Sequence, residues 1–167
     1  MKKTLMLTTV LTVAASQFAC APLRVMSKQN FTCPDHGLCT VEVYASVGSD
    51  QACKVTPQYY EVHVLPNNKQ MVVWQIVPTD PHDPYDYQFT DLAQTPRVNG
   101  VDILKNDPNK DFESPGYDNG NKKRFRWTSK HVQPGSFDYE LNVLRRAHGS
   151  HGNWTLCDMV DPKIVND

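Results

Sequence analysis

The chain has 167 residues, 40% of them hydrophobic, and a formal net charge of −1. So mild an acidic balance gives no charge-driven pull toward nucleic acid or an anionic membrane surface. No stretch is apolar and long enough to span a bilayer.

Met1-Lys2-Lys3 is followed by an apolar run at 5–15 and then by small residues. This is the pattern of a bacterial secretory signal peptide, too short for a membrane span. Gln17-Phe18-Ala19 lacks the Leu that a lipobox carries three residues upstream of Cys20, so cleavage rather than a lipid anchor at Cys20 is the expectation. Removing residues 1–21 leaves 167 − 21 = 146 residues and takes away Lys2 and Lys3, moving the charge from −1 to about −3. Residues 22–167 are expected to form one domain with a core of its own.

Residues 22–40 read as irregular. Val41, Val43, Ala45 and Val47 then alternate with Glu42, Tyr44 and Ser46, the period of a strand with one buried face. Gly48-Ser49-Asp50 marks a turn. Residues 58–65 form the next expected strand, with Tyr60, Val62 and Val64 on one face and Glu61 and His63 opposite. Residues 71–77 are nearly all apolar and read as a central strand carrying Val72, Trp74 and Ile76.

Residues 78–122 hold half of the chain's twelve Pro. Short strands are expected at Tyr87 and Phe89 and at 101–104, and a surface loop at 106–121. Strand signal returns at Arg124-Phe125-Arg126-Trp127, as an amphipathic strand with the rings inward and the cations in water. After the Pro134-Gly135 turn, Phe137, Tyr139, Leu141 and Val143 alternate with Asp138, Glu140 and Asn142, the densest alternation in the chain. A polar loop at 145–152 and an apolar run at 154–160 complete an expected β-hairpin. Many short strands with Pro- and Gly-rich turns indicate an all-β fold: a single antiparallel Greek-key β-sandwich of cupredoxin-like or immunoglobulin-like type, with long Pro-rich loops.

Beyond Cys20 the chain has Cys33, Cys39, Cys53 and Cys157. Four Cys in an exported chain suggest two disulfides, and spacing alone allows three pairings. The Pro and Gly between Cys33 and Cys39 suit a tight closed loop, which would leave Cys53 for Cys157.

The segments Val-Val-Trp-Gln-Ile (72–76), Tyr-Gln-Phe (87–89), Gly-Val-Asp-Ile (100–103), Phe112, Phe-Arg-Trp (125–127), Phe-Asp-Tyr-Glu-Leu-Asn-Val (137–143) and Asp-Pro-Lys-Ile-Val-Asn-Asp (161–167) follow one another in this order. The chain from about residue 70 to its end thereby resembles small uncharacterised periplasmic proteins of proteobacteria with a cupredoxin-like β-sandwich. The resemblance implies fold and compartment, and no activity.

Copper is the first chemistry to test against such a fold. A type 1 site takes two His, a Cys thiolate and usually an axial Met, and cupredoxins place Cys, His and Met in that order before the last strand. Here His148 and His151 precede Cys157 and Met159, so the order excludes it. His148 and His151 stay candidates for a simple copper or zinc site, against the plainer reading of two solvated loop side chains. Asp107, Asn109 and Asp111 place oxygen ligands at alternate positions with Asp118 twelfth, as a calcium loop does. Phe112 stands where that loop needs Gly, so these too read equally as ordinary loop residues. No metal or other cofactor is assigned. Asp80, Asp83 and Asp86 sit in the Pro-rich segment on the same terms. Nothing matches a nucleophile elbow, a zinc-protease helix or a phosphate-binding loop, and the chain is expected to be non-enzymatic. The expectation is an exported protein that binds an envelope partner or plays a structural part there, with a metal-binding periplasmic protein as the alternative.

Overall fold

The computed structural model describes residues 27–35, 37–66, 69–93, 98–103, 110–159 and 162–167. The segment expected to be a signal peptide (residues 1–21), with Cys20, and the calcium-loop candidates Asp107 and Asn109 lie outside them. The described residues are all-β, and no helix among them is long and apolar enough to cross a membrane.

The strands are β1 (Ser27–Thr32), β2 (Leu38–Val47), β3 (Cys53–Pro57), β4 (Tyr59–Val64), β5 (Gln70–Pro78), β6 (Tyr85–Phe89), β7 (Val101–Ile103), β8 (Phe112–Asp118), β9 (Asn121–Ser129), β10 (Gly135–Leu141), β11 (Val143–Ala147), β12 (Thr155–Leu156), β13 (Asp158–Met159) and β14 (Lys163–Asn166). They form a six-stranded sheet in the order β13-β3-β2-β5-β9-β8, a five-stranded sheet β1-β4-β14-β10-β7, and a three-stranded sheet β12-β11-β6. β10 and β11 are one run of chain, interrupted only at buried Asn142. The Asn142 carbonyl accepts from Thr90 N at 2.9 Å, its N–H donates to Gly100 O at 2.8 Å, and its side-chain amide donates to Asn99 O at 3.0 Å. The backbone and side chain of this one residue thus satisfy the groups where the chain passes from one sheet to the next.

The arrangement is sandwich-like. Rings from the six-stranded sheet meet rings from the other two: Trp74 and Tyr139 with centroids 5.2 Å apart, Phe112 and Phe137 at 5.2 Å, Phe89 and Phe125 at 5.9 Å. All six are buried. Edge and tilted ring packing of this kind adds to the area burial that drives the fold. β5 is central as expected, between β2 and β9, with Val72, Trp74 and Ile76 inward.

The six- and five-stranded sheets are mixed, and only the three-stranded sheet is purely antiparallel. β2 pairs β5 in parallel, β4 pairs both β1 and β14 in parallel, and β13 pairs β3 in parallel. Alternation reports which face of a strand is buried and carries no record of its neighbour's direction. Four further expectations are corrected. The segment expected to be irregular contains β1, an edge strand held by backbone pairing and by Phe31 stacked on Tyr59 at 4.5 Å. β3 was not anticipated. The expected surface loop contains β8, which turns into β9 through Asn119-Gly120, both at positive φ (52° and 74°). An Asn-Gly pair is the sequence signal for this tight hairpin. The expected hairpin partners of β10 are also different: β10 pairs β14 and β7, and it is β11 that pairs β12 across the polar loop.

Both disulfides are present, Cys33–Cys39 and Cys53–Cys157, closing sequence separations of 6 and 104. Each joins the two layers. Cys33 follows β1 and Cys39 lies in β2; Cys53 opens β3, while Cys157 N donates to Val143 O of β11 at 2.9 Å.

Gly100 shows how tightly the layers meet. A Cβ there would lie 2.5 Å from Phe89 Cβ, 2.7 Å from Phe125 Cδ2 and 2.9 Å from Thr90 O. Gly100→Ala is therefore expected to cost about 1–3 kcal/mol or more by overpacking. Equilibrium urea unfolding reads this directly, and an unchanged midpoint would refute so close an approach.

Candidate functional site

The 48–52 turn between β2 and β3 and the 79–84 loop between β5 and β6 face each other across an open cleft of about 240 Å³. The turn is closed by Gly48 N donating to Ala52 O at 2.9 Å and by Asp50 Oδ1 accepting from Ala52 N at 3.0 Å. Gln51 holds a left-handed backbone, φ 64°, at the tip. For a non-glycine residue that conformation is costly and needs support from its surroundings. Arg145 Nη2 donates to the Gln51 carbonyl at 2.7 Å, and the Tyr85 hydroxyl donates to Gln51 Oε1 at 3.0 Å.

The opposite rim is built by carboxylates. Asp80 Oδ1 accepts from His82 N at 2.8 Å, and Asp80 O accepts from Asp83 N at 3.1 Å. Asp83 accepts from Tyr85 N at 3.0 Å and from the Tyr87 hydroxyl at 2.7 Å. These short Asx-type bonds are what turn the Pro-rich segment. Asp80, Asp83, Gln51, Tyr85, Ser46 and Thr79 supply the polar walls. Arg145 stands over the Tyr85 ring, its guanidinium carbon 5.0 Å from the centroid.

Burial, reinforced by the hydrogen bond to Asp83 and by its charge, raises the Tyr87 pKa above the tyrosine range. Burial, and then Asp91, does the same to Tyr117. Burial raises Tyr139 as well. Because folding raises these values, the neutral forms favour the native state. Their stability contribution is complete below the unfolded tyrosine value of about 10 and is lost as pH rises beyond it. A spectrophotometric titration is therefore expected to show these three of the seven Tyr ionising only as the protein unfolds. A single folded-state step near pH 10 for all seven would contradict it.

The other candidate residues are scattered. His148 Nδ1 lies 2.9 Å from Asp86 Oδ1 on the outer side of β6 and β11, and its side chain is 79% exposed. His151 is exposed in the same loop. Asp111 is fully buried and acts within the fold: Oδ1 accepts from Val132 N at 2.5 Å and its carbonyl accepts from Lys130 N at 2.7 Å, clamping the turn after β9. Asp118 accepts from Arg124 at 2.9 Å, with Arg126 at 3.9 Å. Of the two cations on β9 expected to point into water, Arg124 is thus partly exposed and paired with Asp118, while Arg126 is more exposed and only approaches it. Phe125 is buried, and Trp127 Nε1 donates to Val101 O at 2.7 Å.

One cluster escaped sequence reasoning. His63 Nδ1 lies 2.8 and 3.0 Å from the Asp167 oxygens, and its Nε2 lies 3.5 Å from Glu61 Oε1. Only the parallel register of β14 on β4 brings residues 104 apart in sequence together. Among the described residues no group of three or more His, Cys, Asp or Glu is arranged to hold a metal ion. No protein-family model and no curated protein matches the chain.

Proposed function

We propose that this chain is an exported, non-enzymatic binding protein of the bacterial cell envelope, on a cupredoxin-like Greek-key sandwich, with the cleft between the β2–β3 turn and the β5–β6 loop as its binding site. The observation that carries the reading is the pair of buried disulfides, because such bonds persist in oxidising compartments. The N-terminal signal pattern agrees with it. The cleft supports binding because its polar groups are held in place by hydrogen bonds to neighbouring loops, which lowers the ordering cost of taking up a ligand.

The competing reading is a metal binder: copper or zinc draws on His148 beside Asp86 and on exposed His151, and calcium on Asp107, Asn109 and Asp111. One experiment separates them. The protein is expressed with its leader in a bacterial host, recovered from the periplasm without chelators, and weighed intact under native conditions before and after reduction. The expected result is a leader-free mass that gains four protons on reduction, two for each disulfide. Added mass matching copper, zinc or calcium would favour the metal reading. Free thiols at all four cysteines in unfolded, unreduced protein would overturn export.

A further inference from the structure

The chemistry of the cleft walls points to a ligand class, and we infer that the cleft takes a saccharide unit. This rests on the reading of the cleft as a binding site. Four kinds of group meet there: carboxylates, a primary amide, aliphatic hydroxyls and an aromatic ring. Ionised carboxylates only accept hydrogen bonds. Asp83 already accepts one bond on each oxygen, which aims the carboxylate and leaves further lone pairs. Asp80 accepts from His82 N on Oδ1. Gln51 is oriented the other way. Its Oε1 accepts from the Tyr85 hydroxyl, and its NH₂ group adds donors to the cleft. The Thr79 hydroxyl donates to Ala45 O at 3.3 Å and keeps its acceptor sites.

A ligand that satisfies this set must donate and accept within a few ångströms and must also present an apolar surface to Tyr85. Sugar hydroxyls do both at each carbon, and a pyranose ring carries a C–H face suited to an aromatic wall. An organic amine would match the carboxylates but leave the Gln51 amide without an acceptor. The cleft is smaller than the roughly 300–1,000 Å³ of sites for drug-sized ligands, which fits one sugar ring or a chain end. Its rim is preorganised: Arg145 ties the Gln51 carbonyl and backs Tyr85, while Tyr87 locks Asp83.

The test is titration of the isotope-labelled full chain with glucose, galactose, mannose and N-acetylglucosamine, followed by amide NMR, with putrescine as the amine probe. Saturable millimolar binding of at least one sugar is expected, with shifts centred on 46–51 and 79–85. Asp80→Asn and Gln51→Ala should each weaken it at least tenfold. Both residues are exposed, so the variants are expected to fold, and retained amide dispersion checks this. Lys122→Ala, at an exposed position near the start of β9 and away from the cleft lining, should leave affinity unchanged. No saturable shift with any of the four sugars, binding of putrescine instead, or sugar binding that survives both cleft substitutions would overturn the inference. Such a failure leaves the disulfide and leader masses as predicted, so it is distinguishable from failure of the exported-protein reading.

Discussion

The double variant Cys53→Ala/Cys157→Ala is expected to lose far more stability than Cys33→Ala/Cys39→Ala. In the chain-entropy account, cross-linking residues 104 apart removes about 4.7 kcal/mol of unfolded-state freedom, while a separation of 6 removes about 2 kcal/mol. Single-domain stabilities of about 5–15 kcal/mol make the first loss a third or more of the total. Placement adds to the effect. Cys53 lies two residues beyond Gln51, and Cys157 bonds the backbone of β11, so the long-range bridge also secures one rim of the cleft. Double variants are the right comparison because a single substitution leaves an unpaired thiol free to exchange. Urea unfolding under non-reducing conditions measures both. Equal losses, or a long-bridge variant within about 1 kcal/mol of the parent, would show that loop closure is not what the bridge contributes.

Trp74→Ala is expected to cost about 3–5 kcal/mol, the range for deleting a large buried aromatic side chain. Trp74 has no exposed surface, lies on the central strand and packs edge-on against Tyr139 across the layers. Tyr139→Phe should behave differently, although Tyr139 is equally buried. Neither the Tyr139 hydroxyl nor the Trp74 indole N–H makes a well-formed hydrogen bond among the described residues. A buried polar group without a good partner contributes little or works against folding. Removing the hydroxyl while keeping the ring is expected to change stability by less than about 1 kcal/mol, with any gain in the stabilising direction. A loss comparable to that of Trp74→Ala would mean that the hydroxyl is strongly bonded.

Some of this was legible in advance. β2 and β10 were readable because one buried face imposes a period of two, with Val41 and Tyr139 fully buried on it, and β5 because its run is nearly all apolar, with Val72, Val73 and Trp74 all buried. The disulfides were open to three pairings, and the one suggested by the tight loop at 33–39 is the one formed. β8 was missed even though Asn119-Gly120 announces its turn, because Ser114 at positive φ and Pro115 interrupt the alternation at an edge strand.

The candidate site was legible only in pieces. Asp80, Asp83 and Asp86 stood out as an acidic segment, yet nothing in their spacing placed Gln51 opposite Asp83 or sent Asp86 to His148 instead. The sequence by itself determined the all-β character, the buried faces of β2 and β10 and the covalent staples, since these follow from local periodicity and from the count of Cys; Tyr60, expected on one face with Val62 and Val64, is exposed. Strand order, the parallel pairings, the His63–Asp167 contact and the cleft were decided by tertiary structure alone. Each depends on which distant segments share backbone hydrogen bonds, and a backbone hydrogen bond is blind to the side chains that a sequence displays.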